Sequence, residues 1–282
     1  MTRGFPDNIL MKYFYDTEFL EGTQKTWIGS KTKPTIDLIS IGIVCEDRRE
    51  YYAISKDFNL KEAWNRYDEK IQHFSGDMRN QFPNGRKYRV YWIRENVLKP
   101  IFQELLYSGH KKARLPLPKS SEKQFTYKNL KKLIQGFGKS NIQIAKELKH
   151  FIYEKEDVLY NKQELDFNSV GDVKSKIQLY GYYSAYDHVA LSWIFGKMID
   201  LPKGFPMYTR DLKQMFDEKQ ESRAKTITLF KETDLHDKYK ENKIIFPENL
   251  KEHPQYPKQY NEHNALSDAI FVKNLYHFLN TY

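Results

Sequence analysis

Residues 13–21 read YFYDTEFLE. The aromatic run Tyr13 to Tyr15 has strand-forming character, and Asp16 and Glu18 follow at i and i+2 in the same apolar setting. Alternation along a strand puts i and i+2 on one face. Two ionised carboxylates side by side repel, and each is costly to bury without a partner. The stretch therefore demands one of two settings: a strand face open to solvent, or a positive charge held between the acids.

Outward from it, residues 12–20 read as a strand and EGTQKTWIGSKTKPT (21–35) as a turn-rich loop. IDLISIGIVCE (36–46) is the most apolar β-branched run of the chain and predicts a central strand. DRRE then links it tightly to YYAIS (51–55), so three successive strands form an antiparallel meander. Helical spacing of Val97, Leu98, Ile101, Phe102 and Leu105 predicts a helix over 94–106, and residues 142–153 give a second. IQLYGYYS (177–184) reads as a strand leading into a helix over 185–199, and 263–279 as a final helix. Strands first, then helices alternating with a later strand, predict an α/β fold: one mixed sheet, an antiparallel meander plus a parallel strand, flanked by helices. A single domain over 11–282 is expected, with residues 1–10 as an N-terminal extension. Two segments fit this core poorly, near 110–140 and 217–260, and are expected to be insertions or loops. The first is strongly one-sided: between His110 and Lys139 stand Lys111, Lys112, Arg114, Lys119, Lys123, Lys128, Lys131 and Lys132 against the single acid Glu122.

At 282 residues the chain has ample material for a core, and its formal net charge of +9 favours an anionic partner, nucleic acid foremost. Its one cysteine, Cys45, excludes an intrachain disulfide and a cysteine-ligated zinc, and its place at the end of an apolar run reads as a buried thiol. No stretch approaches a membrane span and MTRGFPDNIL lacks the apolar core of a signal peptide, so no membrane partner and a cytoplasmic protein are expected. No phosphate-binding glycine pattern stands between a strand and a helix, which argues against a nucleotide cofactor.

Two later stretches answer the opening question. In YYSAYDHVALSWIFG, Asp187 stands at a strand-to-helix junction ahead of an apolar helix. In EHNALSDAIF, His263 lies five residues before Asp268, which is flanked by Ala265, Leu266, Ala269 and Ile270. Four carboxylates in apolar surroundings are what a paired divalent-cation site requires, because Mg²⁺ and Mn²⁺ prefer oxygen ligands and their charge offsets the acids' repulsion. Two such ions can serve an in-line phosphoryl displacement, and a neutral histidine can accept the water's proton. Five residues at roughly 100° each put His263 about 140° from Asp268 around a regular helix. His263 is therefore expected on the loop at the helix entrance, as a base and not a ligand.

Taken singly, each residue has a plain structural explanation. Asp16 and Glu18 suit a solvated strand face, Asp187 a helix cap, Asp268 a first-turn acid favoured by the dipole, and His263 an incidental loop position. Phe19 suits the core equally well. His188, beside Asp187, reads as a packing or hydrogen-bonding residue.

Together, the motifs resemble the DEDD exonucleases of the RNase H-like fold, histidine subtype. Asp16-x-Glu18 matches their first motif, Asp187 in YDHVAL their second, and HNALSD the H-x4-D of their third; Asn264 stands where the tyrosine subtype has its Tyr. YFYDTEFLE, IDLISIGIVCEDRREYYAIS and EHNALSDA look most like RNase AS, with oligoribonuclease and RNase T more distant. The resemblance implies a two-metal 3′–5′ exoribonuclease that frees nucleoside 5′-monophosphates from single-stranded RNA, with a preference for adenylate. It also implies that Asp16, Glu18 and Asp268 hold the metal nearest the attacking water. Asp16 would bridge to the second ion, which Asp187 supports; His263 is the general base and Phe19 packs against the terminal base. Family members often form homodimers, so the resemblance also implies a homodimer as an expectation. Two alternatives stand beside this reading: a DNA exonuclease, and a nucleic-acid-binding protein that keeps the fold without catalysis.

Overall fold

The computed structural model describes residues 11–25, 32–113, 124–153, 177–231 and 249–282. The expected N-terminal extension, residues 1–10, lies outside them. Seven strands are described: β1 (Met11–Lys25), β2 (Thr32–Cys45), β3 (Glu50–Ile54), β4 (Asp68–Gln72), β5 (Arg86–Val90), β6 (Ile177–Gly181) and β7 (Arg210–Asp211). Five form one sheet in the order β3-β2-β1-β6-β7, and β4 and β5 form a separate hairpin. β6 runs parallel to β1, pairing Met11 with Ile177 through Phe14 with Tyr180, and β7 runs parallel to β6. Main-chain bonds from Cys45 N–H to Arg49 O and from Ser55 N–H to Ile39 O bracket an antiparallel β2–β3 pair. The mixed sheet flanked by helices is the α/β arrangement expected of an RNase H-like fold.

The chain packs as two compact units interleaved in sequence. One contains residues up to 17, 41–52 and 145–282; the other contains 18–40 and 53–144. In the first, Phe14 and Tyr180 stack at 5.4 Å and join Leu212, Phe216, Leu250 and the apolar side of helix Ala265–Thr281 in one buried cluster. The opposite face of β1 packs on helix Asn141–Tyr153, where the Tyr13 hydroxyl donates to Ile152 O at 3.0 Å. In the second unit Leu20, Leu38, Ile39, Leu98, Ile101 and Phe102 are buried, with Leu130 and Ile134 contributed by helix Tyr127–Phe137.

Several elements differ from the expected ones. The loop expected over 21–35 is largely strand: β1 continues to Lys25 and β2 begins at Thr32. Polar, solvated strand ends show no apolar alternation, so their pattern imitates a loop. Gly22 marks the close approach, since a Cβ there would meet Thr35 Oγ1 at 2.8 Å. The helix expected over 94–106 begins as a wide turn in which Lys99 N–H reaches Arg94 O, five residues back, and continues as Lys99–Ala113. Pro100 accounts for this, because it has no N–H to give the preceding turn. Of the segment near 110–140, residues 114–123 lie outside the described residues, and the rest includes helix Tyr127–Phe137, capped by the Thr126 hydroxyl accepting from Asn129 N–H. Of the segment near 217–260, residues 217–231 belong to the continuous helix Leu212–Lys231 and residues 232–248 lie outside the described residues. The β4–β5 hairpin was not foreseen at all.

Candidate active site

Each site residue is positioned by its element. Phe14 and Asp16 share a face of β1 by alternation. Phe14 packs against Tyr276 at 5.2 Å and clusters with Phe271 and Val272, so Asp16 lies on the face covered by the helix that carries Asp268. That helix starts directly on the sheet. At Gly42 of β2 a Cβ would meet the backbone of Ala265 and Leu266 at 2.3–2.4 Å, so only glycine admits this approach.

Asp187 sits in the first turn of helix Ala185–Phe195, whose N-cap is Ser184, and is buried. Beyond the β1–β6 pairing, its carboxylate takes over the strand's next donor. Thr17 donates to the same oxygen, Asp187 Oδ1, from its backbone N–H at 2.9 Å and its hydroxyl at 2.6 Å. Thr17 stands between Asp16 and Glu18, so this bond ties the second motif to the first. The strand-to-helix turn is held by Asp211, which accepts from the N–H groups of Tyr183, Ser184 and Lys213. Behind it, Tyr15 and Thr209 hydroxyls lie 2.5 Å apart and Thr209 also meets His188 Nδ1 at 3.0 Å, a hydrogen-bonding role for His188 as expected.

Asp268 lies in the first turn of helix Ala265–Thr281, capped by Asn264, whose side chain accepts from Ser267 N–H. Gln259 Nε2 donates to Asp268 Oδ1 at 2.7 Å and the His263 backbone N–H to Oδ2 at 2.9 Å. His263 stands on the entrance turn, outside the helix, with φ +65°. This left-handed conformation is uncommon for a residue other than glycine and turns the chain sharply into the helix.

Burial dominates the electrostatics. It pushes Asp187 up to about 6, against the lowering effect of the Thr17 bonds, with the Asp211 charge adding to the rise. Burial also raises Asp268, opposed by Gln259 and the His263 N–H. Among the described residues neither carboxylate pairs with a lysine or arginine. Two desolvated oxygen donors without a cation fit a hard divalent ion, which supplies the charge that their surroundings lack.

Glu18 and Phe19 belong to the other compact unit. There they line a pocket of about 310 Å³ with Glu21, Arg66, Tyr67, Asp68, Val90, Trp92 and Ile93. Around the acids and His263 named from the sequence, the structure adds Thr17, Asp211, Gln259 and Gly42, which the sequence does not single out. Only Thr17 left a trace, as the residue enclosed by the D-x-E motif.

No family model matches the chain. Two curated relatives do, from Mycobacterium tuberculosis strains CDC 1551 / Oshkosh and ATCC 25618 / H37Rv. Both are described as 3′–5′ exoribonucleases, and each is 28% identical over 209 residues, 74% of this chain and 76% of the relative. Over about three quarters of its length, this chain is similar in sequence to a bacterial 3′–5′ exoribonuclease.

Proposed function

We propose that the protein is a metal-dependent 3′–5′ exoribonuclease of the DEDD type, histidine subtype, most like RNase AS. It would shorten single-stranded RNA to nucleoside 5′-monophosphates and prefer adenylate. The observation that carries the reading is the pair of buried carboxylates, Asp187 and Asp268. Asp187 is tied to the D-x-E strand through Thr17, and Asp268 stands on the helix covering the Asp16 face of that strand. The similarity to exoribonucleases supports the direction and the substrate.

In this reading Asp16, Glu18, Asp187 and Asp268 would hold two Mg²⁺ or Mn²⁺ ions, which when bound supply positive charge against the attacking and leaving oxygens of an in-line displacement. The His263 imidazole takes a proton from the attacking water. The water oxygen bonds to phosphorus as the bond to the 3′-oxygen breaks, so the phosphate leaves on the released nucleotide and the 3′-hydroxyl stays on the shortened strand. Thr17 and Gln259 fix the two buried carboxylates and spare them reorganisation during the reaction.

A time course on end-labelled RNA and DNA of matched sequence tests the reading. Immediate mononucleotide from a 3′ label, a shortening ladder from a 5′ label, faster turnover of RNA and none in EDTA are expected. Internal cuts, or turnover undiminished in EDTA, would overturn the mechanism.

A further inference from the structure

The β4–β5 hairpin has exposed residues along almost its whole length: every residue of β4, and Arg86 to Arg89 of β5. An isolated two-stranded ribbon is marginal in water, and this one carries large aromatic side chains with no core over them. Tyr67, Tyr88 and Trp92 are 40%, 46% and 43% exposed. Residues 66–94 also hold Arg66, Lys70, Arg79, Arg86, Lys87, Arg89 and Arg94 against Asp68, Glu69 and Asp77. Exposed aromatic rings among cations suit a polyanion with flat, stackable groups.

The register orders these residues. Asp68 pairs with Val90, Lys70 with Tyr88 and Gln72 with Arg86. Directly opposite residues share a face, and so do alternate rungs. Asp68 and Val90 line the pocket that holds Glu18, Phe19, Tyr67 and Trp92. The next rung out on the same face is Lys70 with Tyr88, and the one after it contains Arg86. Among the described residues neither Lys70 nor Arg86 is in an ion pair. The pocket itself is aromatic and carries Glu18, Glu21 and Asp68 against Arg66, whose charge is paired with Glu62. It therefore suits a base more than a phosphate, with Glu21 and Asp68 placed to accept from the base's amino groups.

We propose that this hairpin and the pocket at its base form a track for a single RNA strand. One base enters the pocket beside Trp92, a neighbouring base stacks on Tyr88, and Lys70 and Arg86 take the phosphates between. The inference rests on the exoribonuclease reading for the identity of the strand, but the residues it adds, Lys70, Arg86, Tyr88 and Trp92, lie outside the carboxylate set.

The test is fluorescence anisotropy with a single-stranded RNA of about a dozen nucleotides, within the span of single-strand sites, carrying hydrolysis-resistant phosphorothioate linkages at its 3′ end, in Mg²⁺. Tyr88→Ala should weaken binding about tenfold, the order expected when one base stack is removed. Tyr88→Phe keeps the ring and should restore it. Lys70→Glu with Arg86→Glu should weaken binding and flatten its salt dependence. Each loss should be larger for the long strand than for a dinucleotide. Wild-type binding by the Ala and Glu variants, or no RNA binding by the wild-type protein, would overturn the proposal. Two outcomes separate it from the underlying reading. RNA bound through the hairpin but never hydrolysed sinks the exonuclease and leaves the track; RNA hydrolysed equally by all variants sinks the track and leaves the exonuclease.

Discussion

The first turns bearing Asp187 and Asp268 and the β4–β5 hairpin treat charge in opposite ways. The two aspartates are ionisable groups taken out of water and fixed by hydrogen-bond donors: Asp187 by Thr17, 170 residues away, and Asp268 by Gln259 and His263 just before its helix. The hairpin leaves cations and rings in water, held to each other by local contacts such as Arg89 over Tyr67 at 4.3 Å. Buried, pre-oriented acids suit chemistry, where displacement by an ångström is costly. Exposed rings and cations suit a flexible strand whose sequence varies. Substitutions in the first region should therefore strike turnover, and those in the second should strike affinity.

The sharpest way to break that contrast is Asp16→Ala. Loss of several kcal/mol of charge stabilisation should lower turnover by about a thousandfold or more with the fold intact. Activity near wild type in the labelled-RNA assay would remove the carboxylate mechanism. His263→Ala should cost on the order of a hundredfold in rate and leave metal affinity in place. Calorimetry showing complete loss of metal binding would make His263 a ligand instead of a base.

A stability effect of the buried acids comes next. The folded Asp187 carboxyl titrates near 6 against 3.8 for the free group. A folded-state value above the unfolded one gives a contribution fully present below the unfolded pKa and lost as pH rises through the folded one. Metal-free protein should therefore lose stability between about pH 4 and pH 6, by on the order of 2–3 kcal/mol from this group. Asp187→Asn should remove most of that loss; urea melts in EDTA across the range check it, and parallel curves would contradict it. Gly42→Ala, which drives a Cβ into the start of the last helix, should cost about 1–3 kcal/mol and lower activity through Asp268. Unchanged melts would mean that the helix start yields without cost. The smallest effect is expected from Lys128→Gln with Lys131→Gln and Lys132→Gln. The salt slope of RNA binding should fall by about 0.7 for each phosphate that is no longer neutralised, and an unchanged slope would make this helix face ordinary surface.

Much of this was legible in advance. The apolar run 36–46, the aromatic strand at 13–20 and the helices at 142–153 and 263–279 carry periodicities that survive folding. His263 stands outside its helix, as helical spacing required. The misreadings have two causes. The polar strand ends at 21–23 and 33–35 and the β4–β5 hairpin turn much of their surface to water, so little apolar alternation marks them. Helix Tyr127–Phe137 does carry the pattern, with Tyr127, Leu130, Leu133, Ile134 and Phe137 at helical spacing and Leu130 and Ile134 buried, but its run of lysines is the louder signal.

The sequence by itself determined which residue types could do the chemistry, because motif spacing, strand alternation and helical period are short-range properties written in consecutive residues. Tertiary structure alone decided what holds them. The Thr17 donors on Asp187, the clamp at Asp211 and the bare approach at Gly42 depend on which distant segments meet. Those meetings follow from β1 pairing with β6 and from the burial of the last helix on β1, where desolvation and hydrogen bonding act together. No local pattern contains that information.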